Sequence, residues 1–509
     1  MEMPGITLSM IVKNEEKYLQ ECFESVKDIV DEIVLVDTGS TDKTLEISQK
    51  YNAKIFHFDW INDFSAARNY ALENSTGSWI LYLDADERID PNSVNEIKRI
   101  TENPRKSAFY CTVKSINPEY GDNSMRYIRL FANIPGIKFT GKIHEQIQPS
   151  LVKNDYLLVN SIIQINHIGY DVSPAERKLK AERNLSILLK EYETSKSPYY
   201  AFQLGNSYNI LNDIENSKKY FLIAGQSSEL ERSHRAFCFT SLALIAHQNH
   251  KTSEAEKLIY QSLKVSDKQS YAHYLASKIC LRKGDLDRAE EICKRVLNMV
   301  LNPPVGKDES AISILLNKEE VIYYGLMLSL QNENISYTKH YQNELQNYYK
   351  GIYHNYSQMC SIIQKLIQNS ILSEPEIELL CRVINKSNIN FFLTAVYKSS
   401  YIKYKCGILE KLYELNTEND EIRKYLSKAL DEAGRTDDAI EILTKDMDHF
   451  KNDPAVYFYL TSFYLKKGAI EKVFETIKFL ETNFTQIPEV VQSTKLLKEK
   501  INSIYKSLV

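Results

Sequence analysis

The sequence predicts two architectures in one chain: an α/β domain with a mainly parallel, Rossmann-like sheet, then an all-α region of helical repeats. Three observations carry this. Between residues 6 and 83, short apolar runs alternate with amphipathic helical stripes, the sign of βαβ units. From Pro198 onward the pattern is one of helix pairs. In that later region, small and apolar positions recur at a spacing of 34 residues, as from Ala255 to Ala289 and from Ala439 to Val473. The expected divisions are 1–170, 171–300 and 301–509, the last partly degenerate.

The elements follow in order. Ile6–Val12 is an apolar run broken by Lys13-Asn14-Glu15-Glu16. Leu19, Cys22, Phe23 and Val26 then fall at i, i+3, i+4 and i+7, one face of a helix. Ile33–Val36 is the second strand and ends in Asp37; a polar turn, 37–44, feeds a helix carrying Leu45, Ile47 and Tyr51. Lys54–Phe58 is a third strand, and Ser65 is read as the cap of a helix through Ala71. Trp79–Leu83 is uniformly bulky, as expected of a strand buried on both faces. Asp90-Pro91 starts the next helix, and Ala108–Val113 and Tyr127–Phe131 are further strands. Arg126 and Arg129 alternate there with apolar neighbours and read equally well as solvated strand residues.

Right-handed crossovers place the polar segments 13–15, 37–42 and 84–86 on one edge of the sheet, where ligands of open α/β sheets bind. Asp84 and Asp86 end the bulky strand. Acids so placed can hold a hard divalent cation, which in turn can clamp a diphosphate. Asp86 is the better metal ligand and Asp84 the better sugar or ribose contact, unless both act through the ion. Asp37 can accept from a ribose hydroxyl or a base N–H. Arg68 is read as the one fixed cation near this edge, suited to a diphosphate or a base. Farther on, His144 and Glu145 in KFTGKIHE are the nearest candidates for a general base or for positioning an acceptor.

Four ordered motifs, SMIVKNEE, EIVLVDTGSTDKT, FSAARNYAL and WILYLDADE, together resemble the nucleotide-binding half of the inverting, GT-A-type family 2 glycosyltransferases. The resemblance covers roughly residues 5–170. It implies nucleotide-sugar contacts for Val12, Asn14, Glu15, Asp37, Arg68, Asp84 and Ala85. It also implies Mn²⁺ or Mg²⁺ on Asp86 and Asp84, with His167 completing the metal shell, and catalytic roles for Asp86, Glu145 and His144. RLF, GKIHEQ and NHIGY followed by helical repeats narrow the likeness. The chain is similar to bacterial glycosyltransferases with a C-terminal tetratricopeptide-like region, including the sublancin-type peptide S-glycosyltransferases.

The helical part opens on Ser173-Pro174-Ala175-Glu176, a capping box with Pro at N1, and Leu185, Leu188, Leu189 and Tyr192 make one face of the helix that follows. Leu204-Gly205, Tyr208, Ser217, Phe221 and Ala224 match the tetratricopeptide alternation of small and large residues, because paired helices touch where side chains are small. Leu301–Gly306 reads as a break, and repeats within 310–415 are degenerate. Such solenoids offer a concave surface suited to an extended peptide, though they also serve as supports or dimer contacts.

Composition bounds the rest. The 509 residues carry 43% hydrophobic and 26% charged side chains, ordinary for a soluble globular protein. A net charge of −4 argues against nucleic acid as the main partner. No run reaches the ~20 apolar residues of a membrane span. The first residues show neither a charged leader region nor a cleavage site, so a cytoplasmic location is expected. The eight cysteines lack CxxC spacing and read as small hydrophobes rather than as metal ligands or disulfides.

The resemblance implies hexosyl transfer from a UDP-sugar to a polypeptide, foremost a cysteine thiol of a bacteriocin-type precursor. The resemblance adds a homodimer through the helices. Transfer to a protein hydroxyl or to a cell-surface glycan is the alternative, and a non-catalytic repeat scaffold the rival from another class.

Overall fold

The computed structural model describes residues 5–102, 105–115, 123–168, 174–302, 312–350 and 356–506. Tyr170, Ser173 at the head of the expected capping box and the proposed break at 303–306 lie outside the described residues.

The first half of the sheet is parallel, as the alternating pattern requires. Strands β1 (Ile6–Val12), β2 (Glu32–Asp37), β3 (Lys54–His57) and β4 (Trp79–Tyr82) pair in the order β3-β2-β1-β4. They are linked by helices α1 (Leu19–Val26), α2 (Thr44–Lys50) and α3 (Phe64–Glu73). The stripe foreseen on α1 is buried in full: Leu19, Cys22, Phe23 and Val26 pack under the sheet. All four residues of β4 are buried, as its bulky composition implies. The cap of α3 differs from expectation. Asp63, not Ser65, accepts from the amide of Ala66 at 2.9 Å, because Asp63 has the extended backbone that precedes the helix. Ser65 instead donates to the carbonyl of Gly141 at 2.6 Å.

Beyond β4 the sheet turns largely antiparallel. β5 (Glu87–Ile89), α4 (Val94–Thr101), β6 (Ser107–Ser115), β7 (Asn123–Ala132), α5 (Gln148–Lys153) and β8 (Leu157–His167) follow in sequence. Spatially the order runs β4-β7-β6-β8-β5, with only β6 and β8 parallel. A ninth strand comes from the region read as degenerate repeats: β9 (Ile312–Ile314) pairs antiparallel with β7. Three residues are too few to show a period, which is why the strand was not legible.

Helices account for most of what remains: α6 (Pro174–Ser195), α7 (Pro198–Ile210), α8 (Ile214–Gln226), α9 (Arg232–Gln248), α10 (Thr252–Val265), α11 (Ser270–Arg282), α12 (Leu286–Leu301), α13 (Lys318–Gln331), α14 (Ile335–Lys350) and α15 (Tyr356–Ile367), with further helices to Lys506. The α7–α8 hairpin has the expected small-to-large contact. Ser217 donates to the carbonyl of Gly205 at 3.0 Å, and a Cβ on Gly205 would stand 2.6 Å from the Phe221 ring. Helix ends fall at left-handed residues, His250 and Gly284, then Gly434 and Gly468, which reproduces the 34-residue spacing.

The chain forms two units. One holds the sheet and residues up to Leu242, with Tyr260–Ala272 and Asn302–Leu316. The other holds Ala243–Ile259, His273–Leu301 and the chain from Asn317 onward. Among the described residues no helix is long and apolar enough to cross a membrane, and all eight cysteines are free thiols.

Candidate active site

The site begins with turns at the ends of β1, β2 and β4. Val12, the last residue of β1, stands in register with Asp37 on β2, and its carbonyl accepts from the Thr38 amide at 3.0 Å. Asn14 takes a left-handed backbone, φ 56°. That bend lets its amide donate to the Ser40 hydroxyl at 2.9 Å while its side-chain oxygen accepts from the Thr41 amide at 2.7 Å. The two turns are thereby stitched together. The Asp37 carboxylate, almost fully buried, accepts from the amides of Gly39 and Ser40, both at 3.1 Å. Asp37 thus shapes its own turn, one strand away from the acids that end β4.

Asp84, the first of those acids, is held by two guanidiniums. Arg68 on α3 donates to Asp84 at 2.6 Å and pairs with Glu145 through its Nε. Arg129 on β7 reaches Asp84 at 3.4 Å and Glu87 at 2.5 Å. Tyr82 lies beneath both cations, 5.1 Å from Arg68 and 4.5 Å from Arg129. Burial would raise the Asp84 carboxyl, but Arg68 and then Arg129 hold it well below the usual carboxylate range. Burial dominates at Glu87 and pushes it up to about 7 despite Arg129. The expectation of a single fixed cation at this edge is therefore corrected. Arg129 is a second one, 6% exposed rather than a solvated strand residue. Its only trace in the sequence was a charge in a run of apolar strand residues.

Asp86 faces His167 at 3.2 Å, Nε2 to carboxylate. Two pairings bring them together. β5 runs antiparallel to β8 with Glu87 opposite His167, and the Ile168 amide donates to the Asp86 carbonyl at 2.9 Å. The other ring nitrogen of His167 meets the Ser115 hydroxyl at 3.2 Å. Burial works against protonation of His167, but the hydrogen bond and charge of Asp86 raise its pKa. Glu15 belongs to the same cluster: burial, with Asp86 and Asp84 nearby, pushes its carboxyl up to about 7. Ala85, between the two acids, is buried and gives its carbonyl to Arg88 at 2.6 Å. His144 sits in a left-handed turn, φ 51°, closed by the Thr140–Gln146 bridge. Burial lowers its pKa and so favours the uncharged ring.

This donor set suits a divalent cation. Asp84 is spent on two arginines, whereas Asp86 and the Nε2 of His167 face one another with Ser115 fixing the ring from behind. Burial is the first cause of the raised Glu15 carboxyl, and the neighbouring charges of Asp86 and Asp84 add to it, so a cation there would meet acids on more than one turn. Residues 180–200 complete the surroundings. Arg183 on α6 lies over Phe64 at 5.9 Å, and Lys142 pairs with Glu191 at 3.0 Å, so the first repeat helix packs on the turn that carries His144 and Glu145.

Residues 7–155 match the family described as Glycosyl transferase family 2. A TPR repeat-containing protein of Synechococcus elongatus is 39% identical over 188 residues, which is 36% of this chain and 46% of that protein. The SPbeta prophage-derived glycosyltransferase SunS of Bacillus subtilis is 30% identical over 225 residues, 43% of this chain and 53% of SunS. The chain thus spans about half the length of the curated relatives it matches. Among solved structures, S. aureus TarS aligns with a TM-score of 0.28 at 16% identity, over 56% of this chain and 54% of that one, a distant likeness.

Proposed function

We propose that this protein is an inverting, metal-dependent hexosyltransferase that moves a sugar from a UDP-sugar to a cysteine thiol of a polypeptide. The observation that carries the reading is the convergence of Glu15, Asp84, Asp86 and His167 at the end of β4, braced by Arg68 and Arg129, within a family 2 domain. Mn²⁺ or Mg²⁺ held by Asp86 and His167 supplies positive charge for a departing diphosphate when bound. The chain's own residues do the rest. Arg68 and Arg129 keep Asp84 ionised and fixed, so that it accepts from sugar or ribose hydroxyls without reorganising. The Asn14–Ser40–Thr41 stitch and Asp37 shape the wall for the nucleoside.

The state of the candidate bases supports a thiol acceptor. Glu145 is paired with Arg68, and burial lowers the pKa of His144, which makes its ring a weaker base. A thiol needs little help, because its thiolate is already accessible near neutral pH. The resemblance to sublancin-type enzymes supports the same acceptor, and the glycosyltransferase name of SunS agrees with transfer.

The test incubates the full chain with UDP- and GDP-hexoses, Mn²⁺, and a pool of cysteine-containing peptides beside the same pool with Cys→Ser. Nucleotide release and peptide mass are followed. A hexose added to the cysteine pool alone is expected. Equal modification of the serine pool would reject the thiol, and no release from any donor would reject transfer.

A further inference from the structure

β7 brings a second side chain toward Asp84 besides Arg129. Its pairing with β4 sets Ile80 opposite Phe131 and Leu81 opposite Leu130, so Arg129 follows beside Tyr82. Tyr127 is two residues farther along the same face of β7, and the same register brings it level with Asp84. The Arg129 guanidinium stands 4.5 Å from the Tyr82 ring and 5.6 Å from the Tyr127 ring while it reaches Asp84 at 3.4 Å. Arg129 therefore ties the Tyr127 ring and the Asp84 carboxylate to one place.

Both side chains are enclosed by protein and yet open to solvent. Tyr127 is 41% exposed, and so is the Asp84 side chain. Burial nonetheless raises the Tyr127 phenol, and Tyr199 of α7 adds to that rise. Exposure within such dense surroundings marks the wall of a concave site. The Tyr127 hydroxyl is already used, since it donates to the sulfur of Met125 at 2.8 Å. What Tyr127 offers is its ring. Tyr199 also neighbours Glu145 and Gln146, and it lies outside the family match of 7–155, so a helix of the repeat region contributes to this wall.

An ionised carboxylate beside an aromatic ring selects the occupant. A hexose has hydroxyls along its rim, from which a carboxylate accepts, and C–H groups on its faces, which an apolar ring covers. The order of the strands agrees. From β2 through β1 and β4 to β7, the chain presents Asp37, Asn14, the acids that end β4, and Tyr127. A nucleoside held at β2 and a diphosphate at β4 leave the next group, the hexose, at β7.

We infer that Tyr127 is the platform on which the transferred hexose stacks. The inference rests on the proposed transferase reading and names the residue that meets its sugar.

The experiment measures by calorimetry, with Mn²⁺ present, the binding of UDP, UDP-glucose, UDP-galactose and UDP-N-acetylglucosamine to the full native chain, to Tyr127→Ala and to Tyr127→Phe. For the donor that the native chain binds best, the ratio of its Kd to that of UDP should rise about fivefold in Tyr127→Ala, the loss of one ring-face contact. Tyr127→Phe keeps the ring and should keep the native ratio. The affinity of Tyr127→Ala for UDP, with its melting temperature, shows that the rest of the site is intact. An unchanged ratio in Tyr127→Ala, an equal loss for UDP and the UDP-hexose, or a Tyr127→Phe as weak as Tyr127→Ala overturns the platform. Failure of the transferase reading looks different: the native chain then binds neither UDP nor any UDP-hexose, and the platform falls with it.

Discussion

Arg129 and Glu87 meet at 2.5 Å inside the sheet, with side chains 8% and 2% exposed. Removing the cation alone would strand a buried acid that also accepts from the Asp84 amide at 2.9 Å. Arg129→Met is expected to cost about 3–5 kcal/mol in urea unfolding, and Arg129→Met with Glu87→Leu to recover part of that loss. A single variant as stable as the native chain would show that the pair bears no structural weight.

Arg68 joins Asp84 to Glu145 and so fixes the end of β4 against the turn of His144. Arg68→Ala should lower kcat for nucleotide release by about 10²–10³-fold. Arg68→Lys should also lower it, since an ammonium cannot serve two carboxylates in the geometry of a planar fork. Steady-state kinetics on both variants checks this; a lysine variant with native turnover would contradict it.

At the opposite end of β2, Glu32 accepts from Thr76 and pairs with Lys54 at 2.5 Å. Burial opposes its ionisation, yet Lys54, Thr7 and Thr76 bring its carboxyl down from 4.5 to about 2. A depressed folded-state value contributes stability that is fully present above pH 4.5 and lost as pH falls toward 2. Glu32→Gln should therefore lower stability by about 1–3 kcal/mol at neutral pH, and the difference from the native chain should shrink through that window. Denaturant melts from pH 2 to pH 7 measure it.

Gly205 tests the repeat packing. Alanine there gains about 1 kcal/mol of helix propensity, but its Cβ would press on the ring of Phe221, which is 1% exposed and cannot retreat. A net loss of about 1–2 kcal/mol is expected, read as a lower melting temperature. A higher melting temperature would show that the hairpin has room.

The parallel half of the sheet and its acid edge were legible because their signals are local. A run such as Trp79–Leu83 and a stripe such as Leu19, Cys22, Phe23 and Val26 each declare themselves within a few residues. What escaped depends on pairings distant in sequence. β5 has three residues, yet its register against β8 is what sets His167 beside Asp86. Arg129 is an unremarkable charge in its own strand until β7 lies against β4 and brings it to Asp84. Ser115 was invisible for the same reason: nothing near it indicates the ring it orients. The cap of α3 was misplaced by two residues because Asp63 and Ser65 both suit a helix start, and only the backbone of Asp63 decides between them.

The central claim is that Asp86 holds a cation at the sugar-nucleotide diphosphate. Mn²⁺-dependent release of UDP from the preferred UDP-hexose, measured for the native chain and for Asp86→Ala with matched melting temperatures, tests it most directly. The account predicts a metal-dependent native rate and a loss of at least about 100-fold in the variant. Native-like turnover by Asp86→Ala, or release indifferent to metal, would contradict it.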